Sequence, residues 1–115
     1  MKPKIKRYFE GLKPKRVGLK NKIKVHSITR LGSGASNLNY LVRTNWGKFI
    51  FRMDMNLDKQ RKARREYNSL KIIEGKKIGP KVYVLDESRK IFDRDFIIIS
   101  YIEGILCNRV KPYFD

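Results

Sequence analysis

Apolar positions along this chain fall in short runs, separated by polar or glycine-containing breaks. Ile23-Lys24-Val25 opens a loosely alternating pattern that reaches Leu31 and predicts a strand. Asn39 to Thr44 and Lys48 to Asp54 predict two more. Between them lies Asn45-Trp46-Gly47, a compact turn in which Gly can supply a positive φ, so the pair reads as a hairpin. The period then changes. Ala63, Leu70 and Ile73 mark one stripe of a helix, with Tyr67 at its edge, while Lys59, Arg61, Lys62, Arg64, Arg65 and Lys71 occupy the other faces. Asn56 or Asp58 would cap this helix, which runs to about Ile73, and Gly75 is a plausible stop. After the break at Gly79-Pro80, Lys81 to Asp86 predicts a fourth strand. A polar loop from Asp86 to Asp95 leads to an apolar fifth strand, Phe96 to Tyr101. The order is β-β-β-α-β-β, an α+β arrangement.

Composition bounds what such a chain can be. With 115 residues, 41% of them hydrophobic and 11% aromatic, it can build one domain with a core. No apolar run approaches the ~18 residues that span a bilayer, so no membrane span is expected. Met1-Lys2-Pro3-Lys4-Ile5-Lys6 has charge but no apolar signal region. The single cysteine, Cys107, has no partner for an internal disulfide, which suits a reducing cytoplasm.

The net charge of +17 is uneven. The first 24 residues hold ten Lys or Arg against one Glu. Residues 1–22 read as a basic arm, in which Tyr8, Phe9 and Leu12 could form one short helical turn. Such a field attracts phosphates, anionic lipid or nucleic acid, while solubility together with an acidic partner domain would account for it equally. The aromatics Tyr8, Phe9, Trp46 and Tyr113, interleaved with the cations, keep a nucleic-acid-binding module open as an alternative. A regulatory lobe that docks on another protein is a further one.

Three features carry chemistry. The first is Gly32-Ser33-Gly34-Ala35-Ser36-Asn37, followed by strand-like Leu38-Asn39-Tyr40-Leu41-Val42. A Walker A loop would end in Gly-Lys-Ser/Thr, and a dinucleotide fingerprint would have a third Gly and a helix after it. Neither is present. What remains is a glycine-rich hairpin loop, whose backbone amides can approach phosphate oxygens without a Cβ clash; an ordinary hairpin turn would look the same. The second feature is Arg52, fifteen residues after Asn37 and embedded between Phe51 and Met53. A buried cation requires an anion. The third is Glu66, which continues the inward helix stripe of Ala63, Leu70 and Ile73 and is equally in need of a partner. The two needs cancel if the helix packs on the strand. Otherwise Arg52 points outward and Glu66 pairs with Lys62 one turn back. His26 and Cys107 have no partners at metal or catalytic spacing, and Trp46 fits a packing role beside its hairpin.

Together these residues resemble the N-terminal, nucleotide-binding lobe of the aminoglycoside phosphotransferase and choline kinase family, a protein-kinase-like fold. The likeness spans roughly residues 23–104. Residues 32–37 match the nucleotide loop, Arg52 the third-strand cation, and Glu66, within Arg65-Glu66-Tyr67-Asn68-Ser69-Leu70, the helix carboxylate. Ile99-Ser100-Tyr101-Ile102-Glu103-Gly104 looks like the hinge, with Ser100, Tyr101 and Ile102 reading the adenine edge. The resemblance implies a five-stranded antiparallel sheet with one main helix, ATP as ligand, and phosphoryl transfer to a small-molecule hydroxyl. It also implies that the catalytic Asp and the Mg²⁺ ligands belong to a C-terminal lobe or partner chain. Residues 105–115 would begin the linker toward it, and Ile102, Ile105 and Leu106 would face it. No His-x-Asp motif occurs after Gly104, so no catalytic or metal-binding residue is expected in these 115 residues, and the chain alone is expected to be inactive.

Overall fold

A computed structural model of the chain describes residues 1–32, 37–55, 62–75 and 81–101. Two helices and five strands follow in the order α1 (Lys2–Gly11), β1 (Val25–Leu31), β2 (Asn37–Thr44), β3 (Gly47–Asp54), α2 (Lys62–Gly75), β4 (Val82–Asp86) and β5 (Phe96–Ser100). A short 3₁₀ turn, Pro14–Val17, lies between α1 and β1. The strands form one antiparallel sheet in the order β1-β2-β3-β5-β4. The predicted antiparallel α+β architecture is therefore present, and each predicted strand is found within two residues of its expected ends. The proposed caps Asn56 and Asp58 and the break at Gly79-Pro80 lie outside the described residues.

The β2–β3 hairpin closes through Asn45-Trp46, with Thr44 opposite Gly47. Gly47 has φ +106°, the left-handed side of backbone space that a side chain disfavours. The Thr44 hydroxyl donates to the Gly47 carbonyl and accepts from the Trp46 amide, both at 2.9 Å. Asn45 then ties the turn to the segment before β1: its Oδ1 accepts from the Lys24 amide at 2.8 Å, and its Nδ2 donates to the Lys22 carbonyl at 3.1 Å. The Trp46 indole N–H donates to the Asn21 carbonyl. Trp46 is 37% exposed, so this hydrogen bond rather than burial ties its ring to the segment before β1.

Alternation along the strands sends side chains to two faces, and both faces are covered. On one, α2 packs Ala63 and Leu70 against Leu41, Ile50, Val82, Ile97 and Ile99. On the other, Ile5, Tyr8, Phe9 and Leu12 meet Val42, Phe49, Phe51, Met53, Phe96 and Ile98. Here the expected basic arm is corrected. Residues 2–11 form a ten-residue helix, with Pro3 in the first turn, where its missing N–H costs nothing. Ile5, Tyr8, Phe9 and Leu12 stand at helical spacing and are all buried. The reading of one short turn omitted Ile5, which is fully enclosed. Lysines dominate the outer side of the segment, and this composition masked the stripe.

Aromatic contacts fasten α1 to the sheet. Tyr8 meets Phe96 edge-on with ring centroids 4.9 Å apart, and Phe9 meets Phe49 at 5.9 Å. The Tyr8 hydroxyl donates to the Asp86 carboxylate at 3.0 Å. Glu10 accepts the amide of Val25 at 3.1 Å and so caps the edge strand β1. No helix among the described residues is long and apolar enough to cross a membrane.

Candidate functional site

The register of the sheet assembles the site. One rung runs Leu31, Asn39, Arg52, Ile97, Leu85 across all five strands. Gly32 follows Leu31 directly, so the glycine-rich connection begins at the end of the rung that holds Arg52. Adjacent strands are ~4.8 Å apart, so two strand spacings separate the start of that loop from β3, about 10 Å. Gly32 has φ +56°, and a Cβ there would meet no atom within 4 Å. The backbone angle, rather than space, favours glycine at this position. Asn37 begins β2, whereas Ser33, Gly34, Ala35 and Ser36 lie outside the described residues.

Arg52 is buried, 8% exposed, and lies on the α2 face of β3. Its guanidinium pairs with the Glu66 carboxylate through Nη1, and both side chains are 9% exposed. The alternative in which Glu66 turns to Lys62 and Arg52 faces solvent is thereby excluded. Helical spacing explains why: Glu66 lies on the side of α2 that carries the buried Ala63 and Leu70. A second contact was not anticipated. Arg52 Nε donates to Asn39 Oδ1 at 2.7 Å, and Asn39 is its direct cross-strand neighbour. The legible signal was Asn39 itself, a polar residue beside the apolar Leu38, Tyr40, Leu41 and Val42. Glu66 and Asn39 hold the guanidinium from two directions, so its orientation is set before any ligand arrives.

Two of the hinge candidates, Ser100 and Tyr101, bond to neighbouring strands and segments through their amides. Ser100 ends β5; its amide donates to the Lys81 carbonyl at 2.8 Å, and its hydroxyl accepts from the Lys81 amide at 2.9 Å. The Tyr101 amide donates to the Lys48 carbonyl at 3.2 Å. Both amide hydrogens are already engaged with the sheet. A purine reading this edge would therefore use carbonyl groups or residues from 102 onward; Ile102 lies outside the described residues. Tyr101 also packs on the α2-side core, with the Lys48 ammonium over its ring.

Two further polar contacts brace the α2 face. Glu74, near the helix end, accepts the amide of Val82, and Arg64 pairs with Glu87 just beyond β4. On the other face, burial and the nearby Asp86 carboxylate push the Tyr8 phenol well above its ordinary range. Burial pushes Asp86 upward, but hydrogen bonds from the Ser88 hydroxyl and amide and from Tyr8 outweigh it, and the carboxyl is held below its usual value.

A family model described as "Phosphotransferase enzyme family" (APH) matches residues 27–113. The chain belongs to this phosphotransferase family. Among solved structures, one titled a "putative aminoglycoside phosphotransferase", from Ralstonia eutropha JMP134, superimposes with a TM-score of 0.61 at 19% identity. The match covers 92% of this chain and 29% of that one. At this identity the likeness shows the fold, a kinase-like N-lobe, and the chain spans less than a third of the structure it resembles. No curated protein matches the sequence. The phosphotransferase family match begins after α1, whose packing is seen only in the structure.

Proposed function

We propose that this segment is the ATP-binding lobe of a small-molecule phosphotransferase of the aminoglycoside and choline kinase type. The observation that carries the proposal is the buried Arg52, held by Glu66 and Asn39 on the rung that leads into Gly32. A guanidinium offers a planar fork of donors suited to phosphate oxygens, and a glycine turn beside it can bring backbone amides to the same ligand. The donor set therefore fits the phosphates of a nucleotide. Residues 32–37 would cover them and Arg52 would hold them, with Glu66 and Asn39 as positioning residues. ATP, with the Mg²⁺ that accompanies it, supplies the transferable phosphoryl group when bound.

Groups that orient the accepting hydroxyl and hold Mg²⁺ are proposed to come from a further lobe or partner chain. The 115-residue chain by itself is then expected to show no phosphorylation of an alcohol above background. The nucleic-acid alternative is less well supported. Two of the aromatics suited to stacking, Tyr8 and Phe9, are buried in the core, and the Trp46 indole is tied to Asn21.

Calorimetric titration of the chain with ATP, beside Arg52→Ala and Glu66→Gln, tests the proposal. Affinity should fall at least tenfold in both variants while binding to a random RNA oligonucleotide changes little. Equal ATP affinity in all three proteins would refute it.

A further inference from the structure

All three methionines of the chain, Met1, Met53 and Met55, line one cavity of about 430 Å³. It lies where the start of α1, the end of β3 and the β4–β5 loop meet, with Phe92 completing its apolar wall. Met53 is fully buried and adjoins Arg52 along β3, so it faces away from the clamp, into the α1-side core. Methionine is unbranched and polarizable, and adapts to varied apolar partners. Two of the large hydrophobic side chains that stay exposed, Met1 at 47% and Ile91 at 46%, also stand on this cavity.

The polar part of the lining is cationic. Lys4, Arg89, Lys90 and Arg94 face it against a single carboxylate, Asp93. Asp93 is paired with Arg94 at 3.3 Å, and Arg89 is committed to the buried Asp95 at 3.0 Å. Lys4 and Lys90 make no ion pair among the described residues. Arg94 Nε is buried without a hydrogen-bond acceptor, an uncommon state for a charged group. Arg89 has φ +55°, a strained backbone for a side-chain-bearing residue and of a kind that gathers at binding sites. A cavity of this volume accommodates a small molecule.

We infer that this cavity is a second ligand site, distinct from the nucleotide clamp, for a small amphipathic anion: a phosphate or carboxylate on an apolar body. The apolar part would lie against the methionines and Phe92. The anionic head would meet Lys4 and Lys90, within the positive field to which Arg89 and Arg94 add.

Methyl-¹³C-methionine labelling of the full chain gives reporters inside the cavity. Phenyl phosphate should move the Met53 and Met55 methyl signals saturably. Inorganic phosphate and benzyl alcohol, each carrying half of the chemistry, should move them far less at equal concentration. Lys4→Gln/Lys90→Gln replaces two exposed side chains, so its melting temperature should match the parent's while its phenyl phosphate affinity drops at least tenfold. The site is refuted if phenyl phosphate leaves the methionine signals unmoved. It is also refuted if benzyl alcohol binds as well, or if the double variant retains full affinity. Saturating ATP should not displace the probe; displacement would place the probe in the clamp and overturn the inference.

Discussion

The two faces of the sheet are built from opposite materials. The α1 face is an aromatic core: Phe51 stacks against Phe92 and Phe96 with centroids 5.4 and 4.7 Å away, and Tyr8 and Phe9 seal the outside. The α2 face is mixed. Leucines and isoleucines surround an ion pair. Desolvating two charges usually costs about as much as their attraction returns. Net stabilisation is therefore a weak explanation for the Arg52–Glu66 pair, which is why the proposal gives it a ligand. The aromatic face packs one side of β3, and Arg52 lies on its other side.

Substitutions should separate the two faces. The largest stability effect is expected at Phe51→Ala, which opens a cavity in the aromatic face and should cost about 3–5 kcal/mol in a denaturant melt. Arg52→Ala comes next. It strands Glu66 in the interior and should cost up to about 3–5 kcal/mol, less if Lys62 or water reaches the carboxylate. Glu66→Gln keeps the shape and part of the hydrogen bonding. It should lower stability by only about 1–2 kcal/mol and yet remove most nucleotide affinity. A Glu66→Gln protein that binds ATP normally would erase the distinction between the faces.

Substitutions that should leave nucleotide affinity alone probe the α1 latch. Tyr8→Phe removes a hydrogen bond to a carboxylate and should cost about 1.5–3 kcal/mol, with no change in nucleotide affinity beyond that caused by unfolding. The same latch should be visible in acid. Asp86 is held below its ordinary value of 3.8, so its contribution is complete at neutral pH. It should be lost as pH falls through that value toward the depressed folded one. Melts at pH 6 and pH 3 should show the wild type losing more stability than Asp86→Asn. A parallel loss in both proteins would mean that Asp86 is not part of an acid-sensitive latch.

Much of the lobe was legible because its signals are local. The hairpin at Asn45-Trp46-Gly47 follows from turn chemistry, and Glu66 on the inner stripe of α2 follows from spacing. α1 was not read, because ten Lys or Arg in the first 24 residues dominate the composition while its apolar stripe is only four residues wide. A subtler signal was present. Phe96-Ile97-Ile98-Ile99 is apolar without alternation, the pattern of a strand covered on both sides. One helix covers one side, so the run implied a second cover. Asn39 escaped notice because its partner is fixed by cross-strand register, which depends on how two strands align. The amide partners of Ser100 and Tyr101, Lys81 and Lys48, are likewise neighbours that sequence order does not disclose.

The most direct test of the account is ATP titration of the wild-type chain and Glu66→Gln side by side, with the fold of each verified by its melt. Saturable ATP binding by the wild type, weakened at least tenfold in a folded Glu66→Gln, is the predicted result. No binding to a folded wild-type chain, or equal binding to both, would contradict the claim that the buried pair exists to hold a nucleotide.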